Sequence, residues 1–313
     1  MKFGVGLPVV HLYPVTANQW EYTAPPSVAT EIAQKADALG FDFLIIPEHI
    51  IIPNEMLETM GARYPDALAA MAFIAGATRN IKVLSYIMVL PYRNPIVAAK
   101  TIATMDFLSN GRVLLGTAVG HMQREFEILG VPFHERGKIM DEYLLAMKEL
   151  WTQDSPTFEG RYVRFSDIRF EPKPIQKPHP PIWLGGNTKP AMRRAANLGD
   201  GWIPWLIGPE QMPQCLEYIF SQPGFQSRYP NGKGFDVIVP LARFQVEDYS
   251  HRELGPTVMP RGKEEIVEAI GQWKEVGVTG VVINFPRTRT LEQAMEWLEW
   301  YAKEIVPVFK NGS

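Results

Sequence analysis

The chain has a single cysteine, Cys215, among 313 residues, which excludes an intramolecular disulfide and fits a reducing compartment. It has no run of the roughly 18 apolar residues that a membrane-spanning helix needs. The first residues, Met1-Lys2-Phe3-Gly4-Val5-Gly6-Leu7-Pro8, read directly as a short apolar strand. They lack the basic stretch, sustained apolar run and small-residue cleavage site of an export signal. A cytoplasmic location is therefore expected. Neither sign of charge is in excess, since 31 basic and 34 acidic residues leave a net −3. Nucleic acid and anionic membranes are not indicated as partners.

Several chemical signatures are missing as well. No G-x-G-x-x-G follows a strand, and no G-x-x-x-x-G-K-[ST] or G-x-S-x-G elbow occurs, which argues against a Rossmann or P-loop nucleotide site and against a hydrolase nucleophile. No His, Asp or Glu group has metal-ligand spacing, and the first strand carries no His-x-His pair. A metal-dependent barrel hydrolase is not expected.

What is present is an ordinary globular composition, 46% hydrophobic and 21% charged, arranged as a repeated strand, turn and helix. Strands are expected at Lys2–Leu7, Phe41–Ile46, Ile81–Leu90, Arg112–Ala118, Pro181–Gly185, Gly201–Trp205, Phe235–Val246 and Thr279–Phe285. Helices are expected at Ser27–Leu39, Tyr64–Thr78, Pro95–Leu108, Gly137–Trp151, Lys189–Leu198, Pro209–Phe220, Lys263–Val276 and Leu291–Ile305. Helical spacing puts Met140, Tyr143, Leu144, Met147 and Trp151 on one face. The strands are continuous apolar runs, as in a parallel sheet covered on both sides. Strict alternation makes the strands parallel, and eight units suggest closure into a (β/α)8 TIM barrel, which leaves no edges to protect. An open doubly wound sheet is the alternative. One interruption, about residues 152–180, holds Pro156, Pro172, Pro174, Pro178 and Pro180. It reads as an insertion between units four and five, with a short ribbon around Arg161–Phe170, inside a single domain spanning 1–313.

Reactive groups of such barrels come from the C-terminal ends of the strands. Two places there stand out. In the first, the strand ending at Gly185-Gly186 passes Asn187-Thr188 into a helix that opens Lys189-Pro190. Glycine lets a ligand approach the backbone, and a first helical turn offers unpaired amides to an anion. Lys189, Arg193 and Arg194 add positive charge. An ordinary capped turn with a solvated basic face is the plainer reading. The second place is Glu48-His49, a carboxylate and an imidazole suited to acid–base work, although most loop histidines simply bond backbone. Trp202 and Trp205 are read first as barrel filling.

In chain order, seven segments resemble the luciferase-like monooxygenase superfamily, within it the branch of F420-dependent oxidoreductases. They are Leu39-Gly40-Phe41-Asp42 leading to Pro47-Glu48-His49; Leu90-Pro91-Tyr92-Arg93-Asn94-Pro95; Thr104 to Arg112; Glu125-Phe126 to Gly130; Glu171-Pro172-Lys173-Pro174; Pro181 to Gly186; and Gly199-Asp200-Gly201-Trp202. The likeness runs from Lys2 to about Trp205 and is weaker beyond. It implies a bacterial luciferase-like barrel, a homodimer, a small-molecule substrate and coenzyme F420, with FMN as the alternative cofactor. It further implies a cis non-prolyl peptide behind the flavin ring, matched by Tyr86–Ile87, and a phosphate turn matched by Gly185, Gly186, Asn187 and Thr188. Arg193 is expected at an anionic cofactor tail, and His49, with Glu48, at the reacting edge as the catalytic pair. His121, Tyr92 and Trp205 are expected against substrate, as are Tyr13 and Arg243. Two departures bear on the cofactor and the acid. Glu48 stands where deazaflavin enzymes often have Asp, and Val119 stands where a luciferase-type arginine meets the FMN phosphate. The implied activity is hydride transfer between deazaflavin C5 and an organic substrate. An FMN-dependent monooxygenase and a non-catalytic flavin-binding protein are the alternatives.

Overall fold

The computed structural model describes residues 1–241, 243–244, 257–258, 262–283 and 285–310. Its strands are β1 (Lys2–Gly6), β2 (Phe43–Ile46), β3 (Lys82–Ser85), β4 (Met88–Val89), β5 (Val113–Ala118), β6 (Phe158–Glu159), β7 (Arg164–Phe165), β8 (Ile182–Gly185), β9 (Gly201–Ile203), β10 (Asp236–Pro240), β11 (Arg243–Phe244), β12 (Thr257–Val258) and β13 (Gly280–Ile283). The helices are α1 (Ser27–Ala38), α2 (Leu57–Met60), α3 (Ala67–Ala77), α4 (Pro95–Leu108), α5 (Gln123–Ile128), α6 (Arg136–Thr152), α7 (Lys189–Leu198), α8 (Met212–Phe220), α9 (Pro223–Arg228), α10 (Lys263–Glu275), α11 (Leu291–Glu304) and α12 (Val306–Lys310).

Parallel pairing runs β1–β2–β3–β5–β8–β9–β10–β13 and returns to β1, so the sheet closes. This is an eight-stave (β/α)8 barrel, and the open-sheet alternative falls. The third stave is in two parts, β3 and β4, where an unbroken strand at Ile81–Leu90 is expected from its apolar run. Inside the barrel Phe43, Ile45, Leu84, Leu114, Trp183, Ile203, Ile238 and Val282 form one cluster, with Tyr86 and Ile87 half-buried against it. The larger core lies between staves and helices, and α6 turns Met140, Leu144, Met147 and Trp151 inward as its spacing predicts.

Much of the family-like sequence serves the closed, N-terminal end of the barrel. Asp42 accepts the Phe3 amide at 2.8 Å, and Asp200 accepts the Ile182 amide at 2.9 Å. Arg112 covers the last carbonyls of α3, donating to Ala75 O at 2.6 Å and Thr78 O at 3.3 Å, groups that a helix end otherwise leaves unpaired. These carboxylates and this guanidinium set strand starts and helix ends.

Several boundaries differ from expectation for local reasons. The helix expected at Tyr64–Thr78 starts at Ala67, because the Asp66 side chain accepts the Ala69 amide at 2.9 Å and caps it. The helix expected at Pro209–Phe220 starts at Met212. The strand expected at Phe235–Val246 ends at Pro240; Arg243–Phe244 instead pairs antiparallel with Thr257–Val258, and Gln245 and Val246 lie outside the described residues. In the 152–180 stretch the ribbon is β6–β7, upstream of the expected Arg161–Phe170, with Phe158 stacked on Phe165 at 5.9 Å. Buried Asp106 of α4 anchors this stretch through Gln176, whose amide nitrogens donate at 3.0 and 2.7 Å. No helix among the described residues is long and apolar enough to cross a membrane.

Gly271 lies inside α10, and a Cβ there meets nothing within 4 Å. Gly271→Ala is expected to stabilise the protein by about 0.5–1 kcal/mol, because alanine loses less backbone freedom on folding. A higher denaturant midpoint at unchanged slope checks this.

Candidate active site

The site is built around the interruption of the third stave. The Tyr86–Ile87 peptide is cis, as the resemblance implies. Around it, side chains of this stave and its neighbours, with one backbone bond, tie the interrupted strand in place. Ser85 Oγ donates to Gly116 O at 2.8 Å and accepts the Gly116 amide at 3.1 Å. Thr117 Oγ1 donates to Met88 O at 2.9 Å, the Tyr86 amide donates to Ile46 O at 2.7 Å, and the Val89 amide donates to Glu48 Oε2 at 3.1 Å. Next to the bulge, a Cβ on Gly185 would stand 2.5 Å from Ile87 Cδ1. The expected bulge and the expected anion turn are therefore in contact across the barrel mouth.

The turn itself is pinned from below and beside. Buried Trp202 donates its indole N–H to Gly186 O at 2.8 Å. Asn187 Oδ1 accepts the Trp205 amide at 2.8 Å, and its Nδ2 donates to Trp205 O. The Asn187 side chain is thus spent on holding two loops together. Thr188 caps α7 through the Ala191 amide at 3.4 Å. The amides of Asn187 and Thr188 donate to no described residue, so the turn keeps free N–H groups at a helix N-terminus. That fits a phosphate. Of the expected cations, Lys189 and Arg193 are exposed near this rim, whereas Arg194 is buried and ion-paired with Asp141 at 2.5 Å. Arg194 is therefore unavailable to a cofactor tail.

His49 follows β2 at the same mouth, with its side chain 11% exposed. Its partner is not Glu48. His49 Nδ1 lies 3.0 Å from Glu125 Oε2, and Nε2 makes no hydrogen bond among the described residues. Glu125, in the first turn of α5, has a fully buried side chain. It also accepts the Ile50 amide at 2.7 Å and the Ile51 amide at 3.1 Å on Oε1, and the Tyr92 hydroxyl at 2.9 Å on Oε2. Burial pushes this carboxyl up, but the hydrogen bond and charge of His49, with the Ile51 and Tyr92 donors, outweigh it and hold it below the usual carboxylate range. An ionised acceptor at Nδ1 fixes a proton there and leaves Nε2 as the nitrogen that exchanges protons with a ligand. Glu48 is buried elsewhere. It pairs with Arg93 and accepts the Ala67 amide at 3.3 Å and the Val89 amide at 3.1 Å, so it braces the loop between staves two and three. Burial raises its carboxyl despite the charge of Arg93.

Aromatic rings complete the surroundings. Tyr64 meets His49 edge-on at 4.9 Å and His121 does so at 5.9 Å. Of the residues expected at substrate, Tyr92 and His121 are beside His49, and Trp205 is half-buried beside the anion turn. The Arg243 side chain lies outside the described residues. Glu125 lies in a family-like segment that gives it no role, since nothing in the spacing links it to a histidine 76 positions earlier. Tyr64 carried no signal at all.

Glu125 also gives a pH expectation. A carboxyl held low in the fold contributes stability that is complete above its unfolded value, about 4.3, and lost as pH falls through the folded value. Denaturant midpoints taken from about pH 6 down to about pH 3 should therefore fall more steeply in the native protein than in Glu125→Gln.

The family model of luciferase-like monooxygenases matches residues 1–239. The chain belongs to the luciferase-like monooxygenase family. Among relatives, it is 27% identical over 288 residues to the uncharacterized protein Rv0953c of Mycobacterium tuberculosis, covering 87% of this chain and 92% of that one. It is 36% identical over 180 residues to the FMNH2-dependent dimethylsulfone monooxygenase of Pseudomonas putida, covering 55% of this chain and 47% of that enzyme. Solved structures of the same fold include monooxygenase RslO1 of Streptomyces bottropensis, with TM-score 0.76 and 20% identity over 99% of this chain and 100% of that one. The F420-dependent tetrahydromethanopterin reductase of Methanopyrus kandleri gives TM-score 0.71 and 17% identity over 99% of both chains. Proteins of this fold thus include an F420-dependent reductase, and the sequence relatives include an FMNH2-dependent monooxygenase.

Proposed function

We propose that this luciferase-like protein is an F420-dependent oxidoreductase that moves a hydride between the deazaflavin and a small organic substrate. The observation that carries the reading is the His49–Glu125 pair at the barrel mouth, with Nε2 of His49 unbonded among the described residues. When bound, the deazaflavin supplies the two-electron chemistry, and the protein supplies position and proton handling. Tyr86 and Ile87 would back the ring, Gly185, Gly186 and the amides of Asn187 and Thr188 would hold the phosphate, and Arg193 would meet an anionic tail. His49 Nε2 would give or take the proton that accompanies hydride transfer, with Glu125 holding its ring. The absence of the luciferase-type arginine at Val119 favours the deazaflavin over FMN.

The kinship to an FMNH2-dependent monooxygenase over 180 residues supports a second reading, an FMN-dependent monooxygenase. Fluorescence titration of the apo-protein separates the two. F420 is expected to bind; tight FMN binding without F420 binding, together with oxygen consumption in the presence of reduced FMN, would install the second reading instead.

A homodimer is part of the same proposal. Helix α3, ALAAMAFIAGA, is apolar all round, yet Phe73 is 67% exposed; on α4 Val97 is 64% and Leu108 76% exposed. Lone surface helices are amphipathic, and clustered exposed apolar side chains mark an interface. Like faces from two copies suit one another without charge matching. Phe73→Glu with Leu108→Glu is expected to convert a dimer to a monomer by light scattering; an unchanged mass would rule this face out.

A further inference from the structure

A small cavity opens at the end of β1. Leu7, Pro8, His11, Thr16, Glu21 and Phe285 line a cavity of about 50 Å3. His11 Nδ1 is buried and has no hydrogen-bond partner among the described residues. Buried polar atoms are nearly always paired, so this one points to a missing ligand group. Burial pushes the imidazole down to about 4, which leaves the ring uncharged at neutral pH. The carboxylate in the cavity wall, Glu21, is already engaged by the Asn18 amide at 2.8 Å, the Asn18 side chain at 3.0 Å and the Val9 amide at 3.3 Å. An anionic group placed here would face that carboxylate. Leu7, Pro8 and Phe285 make the rest apolar. The cavity belongs to the active-site mouth, because the His11 ring lies 6.0 Å from the Tyr64 ring and Tyr64 in turn meets His49 at 4.9 Å.

The geometry points to a substrate subsite at the head of β1, in which His11 Nδ1 hydrogen-bonds an uncharged hydroxyl or carbonyl oxygen remote from the reacting centre. The substrate is then an apolar molecule with two functional points, one reacting at His49 and one held at His11. Anionic substrates are disfavoured by Glu21. The inference rests on the oxidoreductase reading, but the subsite can be tested without turnover. A space of this size also holds ordered water, so the test must separate a ligand oxygen from water.

The probes are cyclopentanone and its oxygen-free counterpart methylenecyclopentane, added to apo-protein labelled with 15N-histidine. The His11 nitrogen signals are expected to move with the ketone and to stay with the hydrocarbon. His11→Phe keeps a ring and removes the nitrogen, and is expected to weaken ketone binding about tenfold. His11→Asn keeps a polar atom near Nδ1 and is expected to retain most of the affinity. Both variants should bind F420 and FMN as the native protein does. Signals that respond to neither probe, or a His11→Phe protein that binds the ketone undiminished, would leave water as the cavity's occupant and overturn the subsite. A native protein that binds neither cofactor, yet shows the His11 response, would remove the oxidoreductase reading and leave the subsite standing.

Discussion

Glu125→Gln is expected to reverse the tautomer of His49 and to lower turnover by roughly 100-fold or more, the range that a lost general acid–base contribution covers. The reason is a count of donors. Oε1 accepts two backbone amides, from Ile50 and Ile51, while Oε2 accepts His49 Nδ1–H and the Tyr92 hydroxyl. A glutamine has one oxygen. If it serves the two amides, its NH2 faces His49, which must then accept at Nδ1 and carry its proton on Nε2. If it serves His49, the NH2 confronts two amide donors in a buried place, the costlier arrangement. The proton therefore moves to the nitrogen that should be free. The 15N shifts of His49 report the tautomer directly, independently of any substrate. An unchanged tautomer would remove Glu125 from its positioning role. His49→Ala serves as the matching control, since it should abolish the proton-handling group and still leave cofactor affinity largely intact.

The second large effect is on stability. A Cβ on Gly116 would lie 2.1 Å from Ser85 O, a backbone atom, with Leu84 Cδ1 at 3.1 Å and Ile203 Cδ1 at 3.3 Å. Staves three and four approach this closely because Ser85 Oγ bonds both the amide and the carbonyl of Gly116. Gly116→Ala must push the staves apart or break those bonds, and a loss of about 3 kcal/mol is expected from overpacking and unpaired polar atoms together. The expected result is an earlier urea midpoint, with weaker binding of the cofactor because the bulge it would rest on is displaced. Gly185→Ala meets the tip of Ile87 at 2.5 Å, which can rotate away, and otherwise only Ala118 Cβ at 3.3 Å and Ile203 O at 3.8 Å. It is expected to cost far less stability, so the pair separates crowding against backbone from crowding against a side chain. Equal losses would show that the close approach at Gly116 is not what fixes the bulge.

Much of this protein was legible in its sequence because local physics wrote it there. Apolar runs covered on both sides, alternating with amphipathic helices, determine a parallel β/α order, and Gly185-Gly186-Asn187-Thr188-Lys189-Pro190 determines a sharp turn into a capped helix. These signals depend on neighbours a few positions apart. Tertiary structure decided the rest. The partner of His49 is Glu125 and not the adjacent Glu48, because consecutive residues leaving a strand point to different sides, and a distant helix start delivers the carboxylate to the imidazole. For the same reason the family-like Asp42, Arg112 and Asp200 work at the opposite end of the barrel from the chemistry, and His11 earns a cavity that its place in a loop did not announce. Which carboxylate meets which base is fixed by closure of the sheet, a long-range event that no local spacing encodes.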